Sequence, residues 1–95
     1  MTVTGSLPNT VSVVASGTAN VFTPAFVAVA RNGSVTWTFP GIQHNVTFSG
    51  TAGAPANIPN TGNSTTPVLR SFTTAGTYNY TCTIHAGMNG TVIVP

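Results

Sequence analysis

The chain has 95 residues, 41% of them hydrophobic, with two Lys+Arg (Arg31 and Arg70), no Asp or Glu, and a formal charge of +2. That length limits it to one compact unit over residues 1–95 with one core. The missing carboxylates exclude paired-carboxylate acid/base catalysis, carboxylate-held Mg²⁺ or Ca²⁺ and the acidic member of a catalytic triad. Two arginines neutralise too few phosphates for a nucleic-acid footprint, and they make no basic patch for anionic lipid.

Residues 1–8 contain neither the basic run nor the apolar stretch of an export signal. Thr, Ser, Asn or Gly interrupts every hydrophobic run well short of the roughly 20 apolar residues of a spanning helix, so no membrane span is predicted. Period-2 alternation and abundant Val and Thr point to strands throughout. The expected strands begin with residues 10–14 and 26–30. The turn signal Asn32-Gly33 leads into the clearest one, residues 34–39, where Val35, Trp37 and Phe39 share one face and Ser34, Thr36 and Thr38 the other. Residues 44–48 repeat the pattern with His44, Val46 and Phe48 in line. Residues 50–67, rich in Gly, Pro, Asn, Thr and Ser, read as a long irregular connection crossing between sheets, with room for a short helical turn. Strands at 71–73, 77–82 and 91–94 follow, with the turn signal Ala75-Gly76 between the first two. The expectation is an all-β sandwich or barrel whose core includes Trp37, Phe39, Phe48, Tyr78 and Tyr80. There is no internal repeat. Five Asn-x-Ser/Thr sequons fit chance in a chain this rich in Asn and Thr.

The chain has one Cys, two His and two Met, and four of these five residues fall into one arrangement: His44, Cys82, His85 and Met88. A His three places and a Met six places after the sole Cys would arise by chance in roughly one of two thousand chains of this composition. Cys82 ends a strand, His85 and Met88 follow in a tight loop, and His44 opens another strand, so all four can converge at one end of the fold. A buried cysteine by itself is an inert small hydrophobe, a strand-end histidine is usually structural, and a methionine by itself fills core. In combination, a His₂Cys set with a weak thioether suits copper in both Cu(I) and Cu(II) states. Zinc gains little from a thioether, and a structural zinc site wants four strong ligands where this chain has three. Cysteine catalysis, with Cys82 as nucleophile and His85 as base, lacks an orienting acid.

The motifs Phe22-x-Pro24, Gly33-x-Val35-x-Trp37, His44-Asn45-Val46-x-Phe48, Gly76-x-Tyr78-x-Tyr80-x-Cys82 and His85-x-x-Met88-Asn89-Gly90-x-Val92-x-Val94 together resemble those of the cupredoxins, the blue copper proteins of plastocyanin and amicyanin type. The two-residue gap between His85 and Met88 is similar to that of the amicyanin branch. The resemblance implies a two-sheet Greek-key β-sandwich of about eight strands with one type 1 copper ion near one end. It also implies His44, Cys82 and His85 as equatorial ligands and Met88 as axial ligand. Asn45 would tie the His44 strand to the Cys82 loop, and His85 would be the electron's port, ringed by Pro40, Ile42, Ala86 and Gly87.

The function expected is one-electron transfer by a non-enzymatic, monomeric copper protein in a periplasmic or extracellular setting. Its redox partner would dock mainly through apolar contacts, because the chain departs from the family in lacking acidic and lysine docking patches. Copper or zinc capture and delivery, or a structural module of a larger exported protein, would use the same residues without rapid redox.

Overall fold

Alternation closes into two sheets in the computed structural model, which describes residues 7–16, 19–41, 43–61 and 64–95. In chain order the strands are β1 (Thr10–Ala15), β2 (Phe22–Thr23), β3 (Phe26–Ala28), β4 (Gly33–Phe39), β5 (His44–Phe48), β6 (Ile58–Thr61), β7 (Ser64–Phe72), β8 (Gly76–Thr81) and β9 (Asn89–Val94). One sheet has the order β2-β1-β4-β7 and the other β3-β9-β8-β5-β6. The β1/β4 and β3/β9 pairs are parallel and the remaining pairs antiparallel. The chain changes sheet at the β2–β3, β3–β4, β4–β5, β6–β7 and β7–β8 connections, the over-and-back course of a Greek key. There is no helix among the described residues, and so none long and apolar enough to cross a membrane.

The fold is the predicted all-β sandwich, with nine strands among the described residues where the resemblance implies about eight, and three local readings change. Residues 50–67 are not one irregular connection: they hold β6 and the start of β7, and no helical turn forms among the described residues there. The predicted strand at 71–73 is the end of the nine-residue β7. Polar, proline-containing strands escape a pattern search because β6 and β7 are sheet edges. There Pro59 and Pro67 need no ladder partner on the open side. The strand predicted over 26–30 stops at Ala28, and the dipeptide strand β2, followed by a cis Thr23–Pro24 peptide, carries too few residues to show a period.

β4 shows the strict alternation read from its sequence, with Gly33, Val35, Trp37 and Phe39 buried and the residues between them half-exposed. These face Val46 and Phe48 of β5, Tyr78 and Tyr80 of β8 and Val92 and Val94 of β9, all buried in one core. Trp37 and Tyr80 meet edge to face at 5.4 Å between ring centres, and Phe22 meets Tyr80 at 4.8 Å. Each such pair contributes about 0.5–1.5 kcal/mol beyond the area it buries.

Arg70 is half-buried and acts as a clamp. Its Nε donates to Ala56 O at 2.8 Å, and its terminal nitrogens donate to Asn57 O and Leu69 O, each at 3.0 Å. The planar guanidinium thus ties the β5–β6 connection to β7 without any acidic partner.

Candidate metal centre

β5 and β8 run antiparallel with Thr47 opposite Thr81 and Phe48 opposite Tyr80. Carrying that register onward sets Asn45 level with residue 83 and His44 with residue 84, beyond the end of β8. The Asn45 side chain takes over where the ladder stops. Its Oδ1 accepts the Thr83 backbone N–H at 2.9 Å and its Nδ2 donates to Thr83 Oγ1 at 2.8 Å. The side-chain amide satisfies the Thr83 backbone N–H that the lost ladder would leave open and bonds the Thr83 hydroxyl as well, at about 1 kcal/mol each. This pins the start of β5 to the segment after Cys82.

His44 and Cys82 are thereby buried beside each other, and His85 reaches in from the loop. His44 Nδ1 lies 3.1 Å from His85 Nδ1, and Cys82 Sγ lies 3.8 Å from the first and 3.7 Å from the second. His44 Nε2 is 2.9 Å from Ser16 O. A carbonyl only accepts, so Nε2 carries the proton and Nδ1 of neutral His44 keeps its lone pair facing the other two atoms. Burial holds the His44 pKa below the ordinary 6.5. The Ser16 carbonyl partly opposes that shift, and a charge on His85 would add to it.

The loop after Cys82 closes on itself. The Cys82 N–H donates to Met88 O at 2.9 Å and the Met88 N–H to His85 O at 3.3 Å. Gly87 makes the turn possible at φ 81°, a left-handed conformation that costs glycine little. Met88 is fully buried next to this closure.

His44, Cys82 and His85 group as residues able to hold a metal ion. Ligand atoms about 2.0–2.3 Å from one ion and splayed evenly around it lie roughly 3.3–3.8 Å apart. The Nδ1, Nδ1, Sγ triangle comes within about 0.2 Å of that range, and one of its corners is a bare lone pair, so the donor set fits a soft to borderline ion.

Of the other residues expected at the site, Pro40, Ala86 and Gly87 are exposed and His85 is half-buried, while Ile42 lies outside the described residues. Three participants are absent from the sequence reading. Ile84 is 42% exposed beside His85, and its place next to a ligand-spaced histidine was the available signal. Thr83, the partner of Asn45, could have been suspected as the hydroxyl next to Cys82. The Ser16 carbonyl, 28 residues from His44 in sequence, left no signal.

A family model for copper-binding proteins of the plastocyanin/azurin family matches residues 9–95. Among solved structures, a proline-to-glycine mutant of amicyanin in its reduced Cu(I) form at pH 4 is 29% identical with a TM-score of 0.76, covering 99% of this chain and 86% of that one. Oxidised plastocyanin from Dryopteris crassirhizoma is 27% identical with a TM-score of 0.75, covering 88% and 99%. A Cu-containing nitrite reductase from Thermus scotoductus SA-01 is 25% identical with a TM-score of 0.78 over 94% of this chain, which spans only 22% of that enzyme. Comparison with curated protein sequences gives no match. With a family model spanning almost all of a chain whose donor triangle fits the same metal, this protein belongs to the plastocyanin/azurin family of copper-binding proteins, and copper is its cofactor.

Proposed function

We propose that the chain is a type 1 copper electron carrier, in which His44, Cys82, His85 and Met88 would hold the ion and His85 would be the port for electrons. The observation that carries this reading is the triangle of two Nδ1 atoms and one thiol sulfur, with sides of 3.1, 3.7 and 3.8 Å, already formed by protein contacts alone. Bound copper supplies one-electron chemistry between Cu(II) and Cu(I). The protein's part is to hold the donors still. Ser16 O fixes the His44 tautomer, Asn45 locks β5 to the Cys82 loop, and the Met88 carbonyl closes that loop. Donors that move little between oxidation states keep reorganisation small, which speeds single-electron exchange.

His85 is half-buried, and its chain neighbours Ile84, Ala86 and Gly87 are exposed and uncharged, as are Pro40 and Gly41, the residues proposed to complete the ring around it. Arg31 precedes β4 and the site follows its far end, so a strand of roughly 20 Å separates that charge from the port. A redox partner would therefore dock on uncharged, mainly apolar surface. On this reading the protein is a monomer that performs no enzymatic step of its own, works in a periplasmic or extracellular compartment, and functions as one module over residues 1–95. The likeness to part of a nitrite reductase favours a second reading, that the same module serves inside a longer protein.

Titration of the metal-free protein with Cu(II), followed by visible absorption and electron paramagnetic resonance, tests the proposal. The expected result is an intense thiolate-to-copper band with narrow hyperfine splitting that saturates at one equivalent and disappears in Cys82→Ser. An ordinary tetragonal copper spectrum, or tight zinc uptake without a copper band, would overturn it and favour metal capture.

A further inference from the structure

We infer that Thr81 is a positioning residue for Met88, acting through its hydroxyl. The inference rests on the electron-carrier reading above. Thr81 closes β8, where it pairs with Asn89 of β9. Its Oγ1 donates to Met88 O at 3.0 Å, and the next residue, Cys82, donates its backbone N–H to the same oxygen at 2.9 Å. Two consecutive residues thus fill both lone pairs of one carbonyl. The clamp sits where the strand leading into Cys82 meets the backbone of Met88.

One donor leaves a carbonyl free to pivot about that bond, whereas two from different directions fix its orientation. Fixing the carbonyl sets the peptide plane between Met88 and Asn89, and with it the direction from which the Met88 side chain enters the core. Met88 is fully buried there. Cross-bonding from the Met88 N–H to His85 O and the left-handed turn at Gly87 secure the other side of the residue. Met88 is therefore held by the protein from both sides of its Cα. A thioether is a weak ligand, and a weak bond to a metal cannot gather a wandering side chain. Preorganisation by Thr81 is what lets it act as one.

Thr81→Val removes the hydroxyl, keeps the shape and retains strand propensity, while Thr81→Ser keeps the hydroxyl. In the metal-free protein carrying methyl-labelled methionine, the expectation for Thr81→Val is a shifted or split Met88 methyl resonance, with the Cys82 amide exchanging roughly three- to tenfold faster. Thr81→Ser restores both. In the copper titration, Thr81→Val still takes up one equivalent with a thiolate band, but its hyperfine splitting and reduction potential move away from wild type, and Thr81→Ser returns them. An unchanged Met88 methyl resonance in Thr81→Val, or unchanged splitting and potential after loading, would overturn the inference. Failure of the wild-type protein to show a thiolate band would overturn the electron-carrier reading instead. In that case the metal-free methyl and amide measurements still decide whether Thr81 holds Met88.

Discussion

Burial lowers the His44 pKa from 6.5, because a charged imidazole there would give up its water, and a positive His85 would repel it. The sign of the resulting pH dependence follows from linkage. The unfolded chain takes up the His44 proton more readily than the folded one, so the contribution of neutral His44 is complete above about pH 6.5. It is lost as pH falls from there toward the lower folded pKa. Elsewhere such a step is obscured by titrating carboxylates, but this chain has no Asp or Glu. Urea unfolding of the metal-free protein should therefore show a midpoint that is level between about pH 7 and 8 and declines once pH drops below about 6.5. The decline should be weaker in His44→Gln. A midpoint that rises on acidification would contradict the assignment of a neutral, carbonyl-bound His44.

Between elements, Gly90 of β9 lies directly against the ring of Tyr80 on β8. A Cβ on Gly90 would overlap Tyr80 Cζ and its hydroxyl oxygen, closer than any packed side chain tolerates. Tyr80 cannot retreat, because Trp37, Phe22 and Phe48 surround its ring. Its hydroxyl is buried without a hydrogen-bond partner among the described residues. Burial pushes the Tyr80 pKa up to about 12, and the nearby Trp37 indole N–H offsets only part of the rise. Gly90→Ala should destabilise the protein by about 1–3 kcal/mol, the usual cost of overpacking a rigid core. Because Gly90 adjoins Asn89 and the Met88 loop, the thiolate-to-copper band of that variant should shift as well. Equilibrium unfolding that shows no loss of stability would mean that the two strands can separate at little cost.

At the scale of the whole molecule, the distribution of charge is the most unusual property. Arg31 donates to the Pro95 oxygen at 3.2 Å at the end of β4 remote from His44, and Arg70 is spent on backbone carbonyls. The surface around His85 carries no charged side chain among the described residues. Long-range steering needs charge on both partners, so on the proposed electron-carrier reading encounter with a redox partner would depend on shape and apolar contact. The rate of electron exchange should change by less than about twofold between low ionic strength and roughly 0.5 M salt, where exposed charges are screened. Stopped-flow measurement across that range checks it, and a steep slope would require a charged docking face.

Composition and spacing determined the all-β class, the core face of β4 and the four residues gathered at the metal end. Each of these is a local property: alternation reports a half-buried strand, and a His and a Met close behind a Cys must share its loop. What the tertiary structure alone decided is everything that joins distant segments. The edge strands β6 and β7 each have one side without a ladder partner, where Pro is tolerated, so their Thr, Asn and Pro disguised them as loop. Nothing local to Arg70 marks it as a clamp: its partners are the Ala56 and Asn57 carbonyls of the β5–β6 connection, more than ten residues away. The Ser16 carbonyl on His44 and the two donors on the Met88 carbonyl involve backbone oxygens, which every residue possesses, so no residue type announces them. Chemistry written in side chains could be read along the chain, whereas the backbone contacts that aim those side chains exist only once the sheets have met.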